Sequence, residues 1–148
     1  MRRTMAPVSV VGVACGAVAS ERSREAQSLP ILEEVFRYEL QQFMEMAQEP
    51  AGTPVCLGIA EDKRIVDPPE DLMGRLGRGS SVLPESKCSG STAARLGAGP
   101  IEWVSDAEVR VKGTFRSTAR GSVPLLYRVV QESGKWRCLG PIIGYDPL

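Results

Sequence analysis

Leu32, Val35, Phe36, Leu40, Phe43 and Ala47 recur at three- and four-residue spacing. That period is helical and places all six on one apolar stripe. Ser28 and Pro30 open the predicted helix, Glu33 and Glu34 fall in its first turn where the amide dipoles favour negative charge, and Pro50 and Gly52 close it. Such a stripe must cover apolar surface supplied by the rest of the chain. The run Thr53 to Ala60 is short, apolar and β-branched, which predicts a strand. Asp67-Pro68-Pro69-Glu70 reads as a second helix start, with Asp67 as N-cap, proline at the first helical position and Glu70 closing a capping box. Leu72, Met73 and Leu76 give that helix a buried face, and Gly77 and Gly79 end it.

The last third changes period from helical to alternating. Ile101 to Val104, Ala107 to Phe115, Val123 to Gln131 and Trp136 to Ile143 are strand-like, joined by Ser105-Asp106, by 117–122 and by Glu132-Ser133-Gly134-Lys135. Val109, Val111 and Phe115 alternate with Arg110, Lys112 and Thr114, so one face is apolar and covered while the other meets solvent. Ser80 to Pro100, rich in Gly, Ser and Ala, is expected to be mobile apart from a brief strand at Ser81 to Leu83. The pattern predicts an α+β fold: one long and one short helix packed on a bent antiparallel sheet of four to six strands, with a meander in the C-terminal half.

The segment from Tyr127 to Arg137, a strand, a Ser133-Gly134 turn and then Trp136, resembles the penultimate hairpin of NTF2-like domains, as does the order of a long helix before a short one. Val35 to Tyr38, Asp67 to Pro69 and Ile101 to Asp106 also look like a group of uncharacterised bacterial exported proteins. The first resemblance implies a cone-shaped roll, whose enzymatic members hold an acid or histidine inside the cone opposite a tyrosine. The sequence marks out no carboxylate for that place.

The first residues read differently from the rest. Arg2 and Arg3 precede an apolar stretch, Pro7 to Ala19, that ends in Ala17-Val18-Ala19 before Ser20, which are the three parts of a secretory signal. The expected organisation is a signal peptide over 1–19, a flexible spacer over 20–28 and a single domain over 29–148. The mature protein is then exported, periplasmic or secreted, with no transmembrane span. Lipid attachment at Cys15 is the alternative, and a start at Met5 would remove both arginines and weaken the signal.

Charge and chemistry narrow the function classes. Lysine plus arginine and aspartate plus glutamate both number 18, so no field of one sign gathers nucleic acid. Histidine is absent, which removes Ser-His-Asp and Cys-His catalysis and histidine-ligated metals. Cys56, Cys88 and Cys138 are too irregularly spaced for a zinc site; a disulfide among them and three unpaired small apolar side chains are both open. Asp62, Asp67, Glu70 and Asp71 cluster without calcium-loop spacing, and Gly74 to Ser81 lacks the lysine of a phosphate loop. Arg110, Lys112 and Arg116, extended by Arg128 and Arg137, form a basic stripe that Glu102 and Glu108 dilute; a solvated face accounts for it. No metal and no cofactor is implied. Tyr38 and Tyr127 are the candidate ligand-binding residues, between helix and sheet. The expected function is non-catalytic binding of a small apolar ligand or a protein partner; the alternative is an NTF2-like lyase or isomerase using a buried carboxylate with one of these tyrosines.

Overall fold

The long helix α1 spans Ser28–Met46 and is followed by strands β1, Val55–Glu61, and β2, Arg64–Val66. A short helix α2, Glu70–Leu76, leads to β3, Val82–Pro84, and a 3-10 turn, Glu85–Lys87. Four longer strands finish the chain: β4, Ala94–Ser105; β5, Glu108–Ser117; β6, Gly121–Glu132; and β7, Lys135–Pro141. The structure is a computed structural model describing residues 22–46, 54–77, 82–88, 94–117 and 121–144. The leader, Cys15 and the expected end of α1 at Pro50 and Gly52 lie outside the described residues.

The α+β architecture is the expected one: α1 packs on β4 to β7, and α2 packs on α1. The strands run β2-β1-β4-β5-β6-β7, with β3 also paired to β1. The sheet has seven strands, one more than the upper end of the expected four to six because β3 adds to β1 beside β2, and it is mixed. β1 is parallel to β4 and to β3, and every other pair is antiparallel. The connection from β1 through α2 to β4 is long enough to bring the chain back in the same direction, which a hairpin cannot do. In the closing turn of the meander, Ser133 and Gly134 both take positive φ (53° and 77°), the two-residue geometry that matches strand twist.

Ile31, Leu32, Val35 and Phe36 of α1 are buried against Leu57, Leu96, Val109, Val111 and Val129 of the sheet. Each such side chain contributes roughly 1.5–3 kcal/mol by leaving water. Glu33 fastens the two helices through Arg75 of α2 (2.9 Å) and its own Arg37 (2.5 Å). Burial raises the Glu33 carboxyl, but these two guanidinium groups outweigh it and hold the group below its ordinary range.

Four expectations are corrected. Glu33 and Glu34 are not in a first helical turn, because a helical segment over 22–26 precedes α1 and passes into it through Gln27. That segment also replaces the expected flexible spacer, at least over 22–27. It is docked: Arg24 pairs with Asp106 at 2.8 Å, and the Gln27 side-chain oxygen accepts the Trp136 indole N–H at 3.0 Å. Asp67 makes no cap on α2, whose N-cap is Pro69. Its carboxylate instead accepts the backbone N–H and hydroxyl of Ser86, and these hydrogen bonds lower its pKa. Finally, much of Ser80 to Pro100 is ordered as β3, the 3-10 turn and the first half of β4. Small residues permit this: Gly97 lies beside Gly58 in the ladder and under Thr114.

Candidate functional site

Two places hold the site candidates. The first is inside the core. Glu39 lies three and four residues beyond Phe36 and Val35 on the buried face of α1, and its side chain is fully buried. Its Oε2 accepts the Tyr127 hydroxyl at 3.1 Å, and its Oε1 has no hydrogen-bond partner. Tyr38 meets the Tyr127 ring edge-on, with centroids 5.6 Å apart. The structure therefore brings the two candidate tyrosines together and adds a carboxylate that sequence reasoning missed.

Two glycines make this arrangement possible. A Cβ on Gly113 of β5 would collide with the Tyr127 ring and stand 3.1 Å from Glu39 Oε2. Gly140 of β7 has φ +101°, and a Cβ there would stand 2.8 Å from the Tyr38 hydroxyl. Burial pushes the Glu39 carboxyl well above its usual range, only partly opposed by the Tyr127 hydrogen bond. Burial, and then the Glu39 charge and hydrogen bond, push the Tyr127 phenol far above its own. Cys138 is raised to about 11, chiefly by burial, with the Glu39 and Glu34 carboxylates adding to it. Burial thus favours the neutral acid at Glu39 and leaves the phenol and the thiol uncharged at neutral pH. With Glu39 at 0% and Tyr127 at 2% exposure, it is closed to solvent.

The second place is an open groove of about 550 Å³ between the start of α1, the end of β1 and a bulge in β4. Leu29, Leu32, Ile59, Ile101 and Trp103 form its apolar wall. The bulge falls between Ala98 and Ile101. Gly99 belongs there because its φ is +112° and a Cβ would stand 2.6 Å from the Ala60 carbonyl oxygen. Arg24 lies 5.0 Å over the Trp103 ring while paired to Asp106, and Trp103 meets Trp136 edge-on at 5.7 Å. Glu25, Glu61 and Asp62 stand at the rim.

The other predicted residues fall elsewhere. Cys56 and Cys88 form a disulfide with Cα atoms 6.3 Å apart, and Cys138 is a free, half-buried thiol. Tyr38 and Tyr127 do not line the groove. The acidic cluster is dispersed: Asp67 is held by Ser86, Asp71 lies 3.6 Å from Arg75, and Asp62 is in the β1–β2 turn. On the sheet face away from α1, Arg110 stands between Glu102 and Arg128, and Arg128 is paired with Glu108 at 3.0 Å. No helix among the described residues is long and apolar enough to cross a membrane. No protein-family model, curated protein or solved structure matches the chain significantly.

Proposed function

We propose that this protein is an exported, non-catalytic binding module that holds a small apolar ligand in the groove between α1, β1 and β4. One observation carries the reading: the groove is open and walled by Leu29, Ile101 and Trp103, whereas the Glu39–Tyr127 interior is closed to solvent. A concave, largely apolar surface with a few polar groups at its rim is the usual form of a small-molecule site. The Cys56–Cys88 disulfide supports export, since such bonds persist in oxidising compartments. The order of long helix, short helix and C-terminal meander supports an NTF2-like roll.

Titration with n-decanol, followed by tryptophan fluorescence, tests the groove because Trp103 lies in its wall. A saturable change is expected in the native protein, and its loss in Leu29→Asp, a side chain already 39% exposed and so tolerant of charge. No saturable change in the folded native protein would refute the reading. For export, N-terminal sequencing from the native host should find Ser20 first. A lipid-modified Cys15 would instead place the protein on a membrane surface, and an intact Met1 in the cytoplasmic fraction would refute export.

A second reading, a lyase or isomerase, is favoured by one observation: a buried carboxylate hydrogen-bonded to a tyrosine. It requires an opening that admits substrate to Glu39. Turnover that is lost in both Glu39→Gln and Tyr127→Phe but kept in Leu29→Asp would establish it.

A further inference from the structure

We propose that Arg24 is a gate on the groove: its side chain occupies the face of Trp103 on which an apolar ligand would lie, and entry requires that side chain to swing out into water. This role rests on the groove being a binding site and adds what governs access to it. The Arg24 guanidinium stands 5.0 Å from the centroid of the Trp103 ring, and both residues line the groove. Cation and ring attract through the indole quadrupole, so the chain supplies its own occupant for that surface. A ligand must displace it.

What holds the side chain there is weak. Its ion-pair partner at 2.8 Å is Asp106, in the turn between β4 and β5, whose side chain is 84% exposed. Ion pairs so open to water contribute little and are screened by salt. Against these two attractions stands a cost, since the Arg24 Nε is buried and has no hydrogen-bond partner. Rotating the side chain outward returns that N–H to water and removes the cost. The two positions are therefore close in free energy, as a gate requires. Only the side chain has to move. The helical segment that carries it stays docked, because the Gln27 side chain accepts the Trp136 indole N–H at 3.0 Å and donates to the Ser23 carbonyl at 3.1 Å. The turn that carries Asp106 is equally fixed: Ala107 donates its N–H to the Ser105 hydroxyl at 3.2 Å, and its carbonyl accepts the Gln131 N–H at 2.8 Å. With 40% of its side chain already in solvent, Arg24 has water to turn into.

Titration with n-decanol, followed by tryptophan fluorescence, tests the gate in the native protein, in Arg24→Gln, in Asp106→Asn and in the double variant. Glutamine keeps much of the apolar stem and removes the guanidinium. Freed of a competitor held by an exposed ion pair and a cation–ring contact, Arg24→Gln should bind decanol roughly three- to tenfold more tightly than the native protein. Asp106→Asn loosens the anchor alone, so its affinity should fall between the two. The double variant should match Arg24→Gln, because Asp106 acts on the groove only through Arg24. Equal or weaker binding by Arg24→Gln, or a further gain in the double variant, would overturn the gate and leave the groove standing, provided Leu29→Asp abolishes binding. Failure of decanol to bind any of these proteins in the folded state would overturn both.

Discussion

Replacing Glu39 by glutamine tests the chemistry of the core most directly. The native carboxyl is fully buried with one oxygen unpaired, so the neutral acid is favoured in the fold, whereas the unfolded chain ionises near the ordinary value of about 4.3. A carboxyl whose pKa is raised by folding contributes stability that is full below the unfolded value. That contribution is lost as pH climbs toward the folded one, because the native state then holds a proton that the unfolded state has released. The slope is about 1.4 kcal/mol per pH unit for one proton. Glutamine keeps the shape and the acceptor for Tyr127 but cannot titrate, so its own cost is independent of pH. Urea unfolding of both proteins at about pH 5, 6 and 7 should show the native protein losing stability relative to Glu39→Gln as pH rises, with a limiting slope of about 1.4 kcal/mol per unit. Asp67, Glu33 and Glu108, whose folded pKa values are lowered, lose stability in the opposite sense as pH falls, but both proteins share them and they cancel in the difference. Parallel stability profiles would refute the reasoning, for they would mean that Glu39 is already ionised in the fold.

Three further outcomes follow from the same geometry. Opening the Cys56–Cys88 bridge by Cys88→Ala frees a loop with a sequence separation of 32, which chain-entropy arguments put at about 3–4 kcal/mol; an unchanged urea midpoint would contradict this. Gly113→Ala should cost about 1–3 kcal/mol, because its methyl meets the Tyr127 ring and the Glu39 carboxyl with no room to retreat, and thermal melting against Gly74→Ala, where nothing lies within 4 Å, supplies the control. Cys138, with its thiol near 11, should react with iodoacetamide on the order of a hundredfold more slowly at about pH 8 than the same thiol in urea, and equal rates would show that it is not shielded.

How much of this was legible in the sequence depended on whether the signal was local. The meander was, because Val109 and Val111 against Arg110 and Lys112 define both the period and the two faces. The first half of β4 was not. Ala94 to Pro100 has none of the β-branched residues that announce a strand, and it pairs because small residues let β1 and β5 approach it. Asp67 matched a capping pattern whose true competitor, Ser86, lies 19 residues away. Glu39 escaped because a glutamate on a helix is normally a solvated position. The available clue was its place in the middle of the apolar stripe, four beyond Val35, but that clue acquires meaning only when Gly113 and Tyr127 are known to stand opposite. The groove could not be read at all, since the start of α1, the end of β1 and the β4 bulge meet only in three dimensions.

The outer side of β1 is shared by two short strands. β3 pairs with Val55, Cys56 and Leu57, and β2 with Ile59, Ala60 and Glu61, so the edge on that side is broken into two pieces of three residues each. A long, straight edge offers incoming chains a template for growth by strand addition, the first step toward fibrils. Here the most apolar strand of the sheet never presents its own edge, and the two strands that cover it are each too short to seed an ordered ladder. The Cys56–Cys88 bond pins the β3 side of this cover, tying β1 to the residue just after the 3-10 turn. A chain with 43% hydrophobic residues is thereby protected from self-association at the edge where its sequence is most prone to it.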